Sequence, residues 1–166
     1  MIPKTLKNFN LYIDGRGYAG RVEEINLPKL SIKTEEYRAG GMDMPVEIDM
    51  GMQKLESSIT LSEYDDEVLK LFGTHDNKPN VNFRGAMEDG SGKVTPVLIA
   101  LNGKWRDLDF GNWRSGDKAT LKIEVIAHYY RLEIDGKELI EIDIENMVRK
   151  INGEDQLKPI RDALGI

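Results

Sequence analysis

Gly15-Arg-Gly17-Tyr-Ala-Gly20 has the G-x-G-x-x-G spacing that, between a strand and a helix, lets backbone amides approach a dinucleotide pyrophosphate. Glu35 and Glu36 lie about where an acidic residue would meet the ribose. The context does not suit that chemistry. Arg21 to Leu27 is short, has strand character and runs into Pro28, so no helix N-terminus follows the glycines, and no later βαβ pattern appears. The motif is expected to be a glycine-rich hairpin turn. His75 and His128 have no partner at ligand or triad spacing and are expected to be structural. Glu35-Glu36, Asp65-Asp66-Glu67 and Asp107 with Asp109 offer paired carboxylates for acid–base work or Mg²⁺, but 29 acidic residues produce such neighbours by chance. Trp105 and Trp113 flank Asp109-Phe110-Gly111 in the manner of a sugar-stacking platform, although core or subunit-contact aromatics are the expected reading. No catalytic set, cofactor site or metal site is expected, and the chain reads as a non-enzyme.

The unusual segment carries no chemistry. Four of the seven methionines, Met42, Met44, Met50 and Met52, fall beside Gly40, Gly41, Pro45 and Gly51, so adaptable apolar side chains meet a pliable backbone. A solvated loop does not favour those methionines, and a core strand does not favour those glycines. Two readings stand: an arm from about residue 33 to 52 that buries its apolar side chains outside its own domain, or a long hairpin lying on its own core.

Composition bounds the rest. The chain has 166 residues, suited to a single domain over 1–166, and 29 Asp plus Glu against 23 Lys plus Arg give a net charge of −6. That balance argues against a sequence-independent nucleic-acid binder, which needs a basic stripe to displace counterions. Zero cysteines exclude disulfides, thiolate metal sites and a cysteine nucleophile. No apolar run approaches the ~20 residues that span a bilayer, and the first residues lack a signal-peptide apolar region, so folding in a cytoplasm without stable membrane insertion is expected.

The elements that must position these residues are mostly strands. Asp14-Gly15, Asp89-Gly90, Asn102-Gly103, Asp135-Gly136 and Asn152-Gly153 suit tight hairpin turns. Phe9, Leu11 and Ile13 alternate with polar residues, as do Val46, Ile48 and Met50; Leu55 to Leu61 is strand-like but less regular, and Val94 to Leu101 is more continuously apolar. The clearest ribbon runs from Ala119 to Ile144. Its apolar phase slips at Tyr129-Tyr130, which predicts a β-bulge or a change of partner, and Ile140, Ile142 and Ile144 oppose an acidic face of Glu141, Asp143 and Glu145. A main helix is predicted over about 62–73, capped by Ser62, striped by Tyr64, Val68, Leu71 and Phe72 and ended by Gly73. A short C-terminal helix ends at Gly165, started or bent by Pro159. The fold class is α+β, mainly antiparallel β, as a barrel or a sandwich of two packed sheets.

Several segments resemble one family in order and spacing: Met1-Ile-Pro-Lys-Thr-Leu6, Leu11-Tyr-Ile-Asp-Gly15, Leu27-Pro-Lys-Leu30, Lys33 through Asp43, Ile48-Asp-Met-Gly51, Tyr129 through Leu139, Ile151 through Leu157, and Leu164-Gly-Ile166. Lys54 to Lys118 matches less well. The chain resembles the major tube proteins of contractile phage tails, of the P2-like FII type, and of R-type bacteriocins. The resemblance implies hexameric rings stacked helically into a hollow tube inside a sheath, driven through an envelope on contraction and conducting DNA or ions. The implied partners are the chain itself, sheath, baseplate or tail-tip and tail-terminator proteins, and a tape-measure protein in the lumen; DNA passes without specific binding if the particle is a phage. The implied place is a virion tail or bacteriocin particle assembled in the bacterial cytoplasm. Tyr37, Arg38, Gly40, Gly41, Met42, Met44, Pro45, Met50 and Met52 are the candidate ring-to-ring contacts. Asp14, Glu23, Glu24, Glu141, Asp143 and Glu145 are candidates for a lumen or sheath-facing surface. A type VI secretion-like ring and, more distantly, a nucleotide- or sugar-binding enzyme are the alternatives.

Overall fold

Asp14, Asp135 and Asn152 adopt φ near +50°, each followed by a glycine near +80°, so these Asx-Gly pairs form the tight turns that fold flanking strands into antiparallel neighbours. The computed structural model describes residues 2–166; Met1 lies outside them. The elements are β1 Thr5–Ile13, β2 Arg16–Gly17, β3 Val22–Asn26, β4 Ile32–Tyr37, β5 Val46–Met52, β6 Leu55–Leu61 and α1 Asp66–Leu69. They continue with β7 Asn80–Glu88, β8 Val94–Asp109, β9 Leu121–Ile134, β10 Lys137–Asp143, β11 Val148–Ile151, β12 Glu154–Asp155 and α2 Lys158–Leu164.

The long strand β9 is the spine. It pairs with β8 along its length, with β6 through Leu121 to Ala127, and with β10 through Tyr129 to Ile134. The ten-stranded sheet therefore forks: one branch runs β12-β11-β10-β9-β8-β7-β1-β2, and the other leaves β9 through β6 to β3. Leu121, Ile123 and Val125 on β9, Ile59 and Leu61 on β6, Leu11 on β1 and Val81 on β7 are wholly buried in one core. Burying this apolar set is the main force holding the branches together. The result is an open sandwich and not a closed barrel, because β3 pairs only with β6 and β1 beyond its turn pairs only with β7.

The phase slip is the predicted bulge. Asn102 faces Tyr129 and Gly103 faces Ala127, so His128 is left without a partner on β8 and burial passes from Ala127 to Tyr130. One turn prediction is corrected here: Asn102-Gly103 lies inside β8 and does not reverse the chain. A Cβ at Gly103 would stand 2.1 Å from the Ile126 carbonyl oxygen, so the glycine permits close backbone approach at the bulge.

The predicted helix over 62–73 is also corrected, because only Asp66–Leu69 is helical. Ser62 donates its hydroxyl to the Arg21 carbonyl at 3.0 Å, and the Asp65 carboxylate accepts the Tyr18 hydroxyl, so neither side chain caps the helix. Val68 is fully buried, and its carbonyl accepts the Trp105 indole N–H at 2.9 Å. Tertiary contacts claim the groups that a longer helix needs. The C-terminal helix forms as expected over 158–164, with Pro159 in its first turn and Gly165 in the left-handed conformation at its end.

Candidate assembly surface

β4 and β5 form a two-stranded sheet that no strand ladder joins to the larger one among the described residues. Tyr37 faces Val46, Glu36 faces Glu47, Glu35 faces Ile48 and Thr34 faces Asp49. Since directly opposed residues share a face and successive residues alternate, Tyr37, Val46 and Ile48 with Glu35 lie on one face, and Glu36, Glu47, Thr34 and Asp49 on the other. Every residue of β4 and all of β5 before Met52 are exposed, including Tyr37 at 52%, Ile48 at 44% and Met50 at 50%. The segment is thus a projecting hairpin, and the alternative of a hairpin lying on its own core does not hold.

Its two ends are fixed differently. At the root, Met52 and Leu30 are half-buried against the core, Gln53 N–H donates to the Ser31 carbonyl at 2.9 Å, and Arg149 on β11 reaches Asp49 at 2.9 Å. The Gly51 amide and Arg149 hold the Asp49 carboxyl below its usual range. At the tip, Arg38 Nε donates to the Met42 carbonyl at 3.2 Å, and the Met42 sulfur accepts the Ala39 N–H at 3.3 Å. Gly41, with φ +88°, lets the chain reverse there. The candidate contacts therefore divide. Tyr37, Met44 and Met50 face water, with Met44 70% exposed, whereas Met42 is folded into its own turn and Met52 into the core side of the root. Gly40 and Pro45 lie in the exposed tip.

The acidic candidates do not form one surface. Asp14 is locked to Asn80 by two hydrogen bonds of 2.9 Å: its N–H donates to the Asn80 carbonyl, and its carboxylate accepts the Asn80 N–H. Register places Asn80, Asn102, Tyr129 and Asp143 in one row across β7, β8, β9 and β10. β10 ends at Asp143, so Ile144 and Glu145 leave the predicted strand; Asp143 accepts from the Asn146 side chain at 2.7 Å, and Glu145 pairs with Lys78. Glu141 accepts the Tyr129 hydroxyl at 2.7 Å, which holds its carboxyl below the usual range, while burial and then Glu141 push Tyr129 up to about 12. Burial, reinforced by Glu141, raises the neighbouring Glu138. Glu23 and Glu24 sit apart on β3, where Glu23 binds Lys118 at 2.7 Å. Much of the expected acidic face is therefore bonded within the chain.

The other singled-out residues have structural places. Gly15 and Gly17 belong to the β1–β2 hairpin, and strand β3 follows Gly20 where a nucleotide site needs a helix. Trp105 is a core residue, and Trp113 is 82% exposed with its indole N–H donated to the Tyr64 hydroxyl at 2.7 Å. Sequence reasoning missed Asp49 and Arg149; a hundred positions separate them and no local pattern joins them. It placed Val46 and Ile48 in a strand without seeing that their face is bare.

The family described as phage tail tube protein FII matches residues 3–165. The tail tube protein of Escherichia phage P2 is 34% identical over 170 residues, covering 99% of both chains. The major tail tube protein of Serratia phage KSP20 is 32% identical over 169 residues, covering 99% of this chain and 98% of the relative. The fold is also that of a chain in the extended sheath–tube complex of an extracellular contractile injection system, PVC, with a TM-score of 0.61 at 13% identity over 79% of this chain and 91% of the other. A chain of the anti-feeding prophage tube-terminating cap gives a TM-score of 0.64 at 11% identity over 80% and 92%.

Proposed function

The chain belongs to the phage tail tube protein FII family, and we propose that it acts, as one domain, as the repeating subunit of the inner tube of a contractile phage tail or R-type bacteriocin particle. Hexameric rings stack into a hollow tube that a contracting sheath drives through the target envelope, and DNA or ions then pass through it. Sheath, terminator, baseplate and tape-measure proteins are its partners, and assembly takes place in the bacterial cytoplasm. No catalytic step is involved.

The observation that carries this reading is the projecting hairpin. Tyr37, Val46, Ile48 and Met50 lie in water on an element that packs little against its own body, so burying that face requires another copy. Tyr37, Met44, Pro45 and Met50 make the contact with the next ring, and Arg38, Gly40, Gly41 and Met42 shape the tip. Met52 fixes the root. The open edges of β1 and β3 are covered by neighbours within the ring. Asp14, bonded to Asn80, and Asp143, at the far end of the row that Asn80 begins, supply an acidic surface toward the lumen or the sheath. A negative lumen lets DNA slide past without adhering.

Negative-stain microscopy of the purified chain tests the reading, with tubes expected for the native protein. Deleting residues 39–45 should leave a folded subunit or ring that cannot polymerise. Normal tubes from that variant would refute the role of the hairpin. Charge reversal at Asp143 assigns that face, since a lumen change alters DNA passage and an outer change alters sheath assembly.

A further inference from the structure

The sandwich is open between β3 and the β1–β7–β8 layer, where Leu6, Phe9, Ile25, Leu27, Met87 and Val97 line a groove of about 250 Å³. Leu6 and Leu27 are more than half exposed, so the groove meets water as it stands. Its rim carries Glu24 and Arg84, neither of which has an ion-pair partner among the described residues. Nothing assigned to the chain above uses this groove.

We propose that the groove receives the tip of the β4–β5 hairpin from a second copy of the chain, with Tyr37 or Met44 inserted between Leu6 and Leu27. This rests on the tube reading and specifies where its arm docks. Three observations point to that occupant. The first is chemistry: the hairpin presents exposed Tyr37, Met44 and Val46, and the groove has room for one or two such side chains between apolar walls. The second is charge, because Glu35 shares the apolar face of the hairpin and Arg38 adjoins Tyr37, both without an ion-pair partner among the described residues, as complements to Arg84 and Glu24. The third is position. Leu27 lies on the link from β3 to β4, so the groove is at the root of the chain's own hairpin, whereas Tyr37, Met44 and Val46 are at its tip.

Six strand residues from root to tip span about 20 Å, so a hairpin cannot place its tip at its own root. A tip-to-root contact is therefore made between copies. It uses two different surfaces on each copy, so it joins copies head to tail and, unlike a two-fold contact, continues beyond a pair.

The absence of native cysteines makes this directly testable. Tubes of a Leu27→Cys, Met44→Cys double variant, oxidised and run on a non-reducing gel, should give a ladder of dimers, trimers and higher multimers. Either single variant should give none beyond dimers. A second measurement covers the case in which the double variant does not assemble: Glu35→Arg and Arg84→Glu should each lower tube yield, by about tenfold, and the combination should restore it. Double-cysteine tubes without a ladder, or singly impaired charge variants without restoration, overturn the docking while leaving the tube intact. A ladder from Leu27→Cys with Ile160→Cys also overturns it, because it puts α2 in the groove. Native protein that forms no tube at all fails the broader reading.

Discussion

At Gly103 a single hydrogen atom decides whether β8 and β9 can approach at their bulge. Gly103→Ala would put a methyl 2.1 Å from the Ile126 carbonyl oxygen and 2.8 Å from Ala127 Cα, both backbone atoms that cannot swing away. The expected cost is about 1–3 kcal/mol or more, read as a lower urea midpoint at an unchanged slope. Tyr129 makes a different residue-scale prediction. Burial and Glu141 raise its hydroxyl from 10.0 to about 12, so between those values the unfolded chain has released a proton that the folded chain keeps. Unfolding is then coupled to proton loss, and stability falls as pH rises through that window. Tyr129→Phe should make the decline in thermal midpoint from pH 10 to 12 shallower. It should not remove the decline, because burial also raises Tyr18 and Tyr130.

At the scale of elements, α2 and the hairpin are attached by few groups. α2 buries no residue of its own, and Arg161 ties it down through the Met147 carbonyl at 2.7 Å and Asp155 at 2.6 Å. Arg161→Ala should raise amide exchange across residues 158–164 while leaving β6 and β9 protected, since the core does not depend on the helix. What could be read beforehand follows the same division. Alternation in β9 and β10, the phase slip at Tyr129-Tyr130 and the Asx-Gly turns other than Asn102-Gly103 are local signals, and they lead to the right strands. The helix over 62–73 was over-extended because its stripe was local but its competitors were not: Tyr18 takes Asp65 and Trp105 takes the Val68 carbonyl. In the hairpin, Met44 and Gly41 signalled a pliable apolar arm. Its detachment from the core and its brace from Asp49 to Arg149 depend on distant parts of the chain that no short pattern encodes.

For the whole molecule, two long-range terms oppose each other. Each copy carries a net charge of −6, which repels other copies, and an exposed apolar hairpin, which is driven to bury itself. Salt screens the first term and leaves the second intact or strengthened, so light scattering by the purified chain should rise as ionic strength goes from low to physiological. Rim ion pairs such as the one proposed between Glu35 and Arg84 weaken under the same change, but exposed pairs contribute only about 0–1 kcal/mol each and do not reverse the sign. If ion pairs drove assembly, scattering would fall instead. Assembly must also feed back on stability, because a copy held by its neighbours unfolds only after leaving them. Once subunit concentration exceeds the dissociation constant, each tenfold increase in free subunit should add about 1.4 kcal/mol to apparent stability. The thermal midpoint of the native chain should therefore climb with protein concentration. A chain lacking residues 39–45 keeps the same core and loses only the tip of the hairpin, so its midpoint should climb less steeply, by the part that ring stacking supplies, and stay flat where it is monomeric. Parallel concentration series on the two proteins distinguish a hairpin that joins subunits from one that only decorates them.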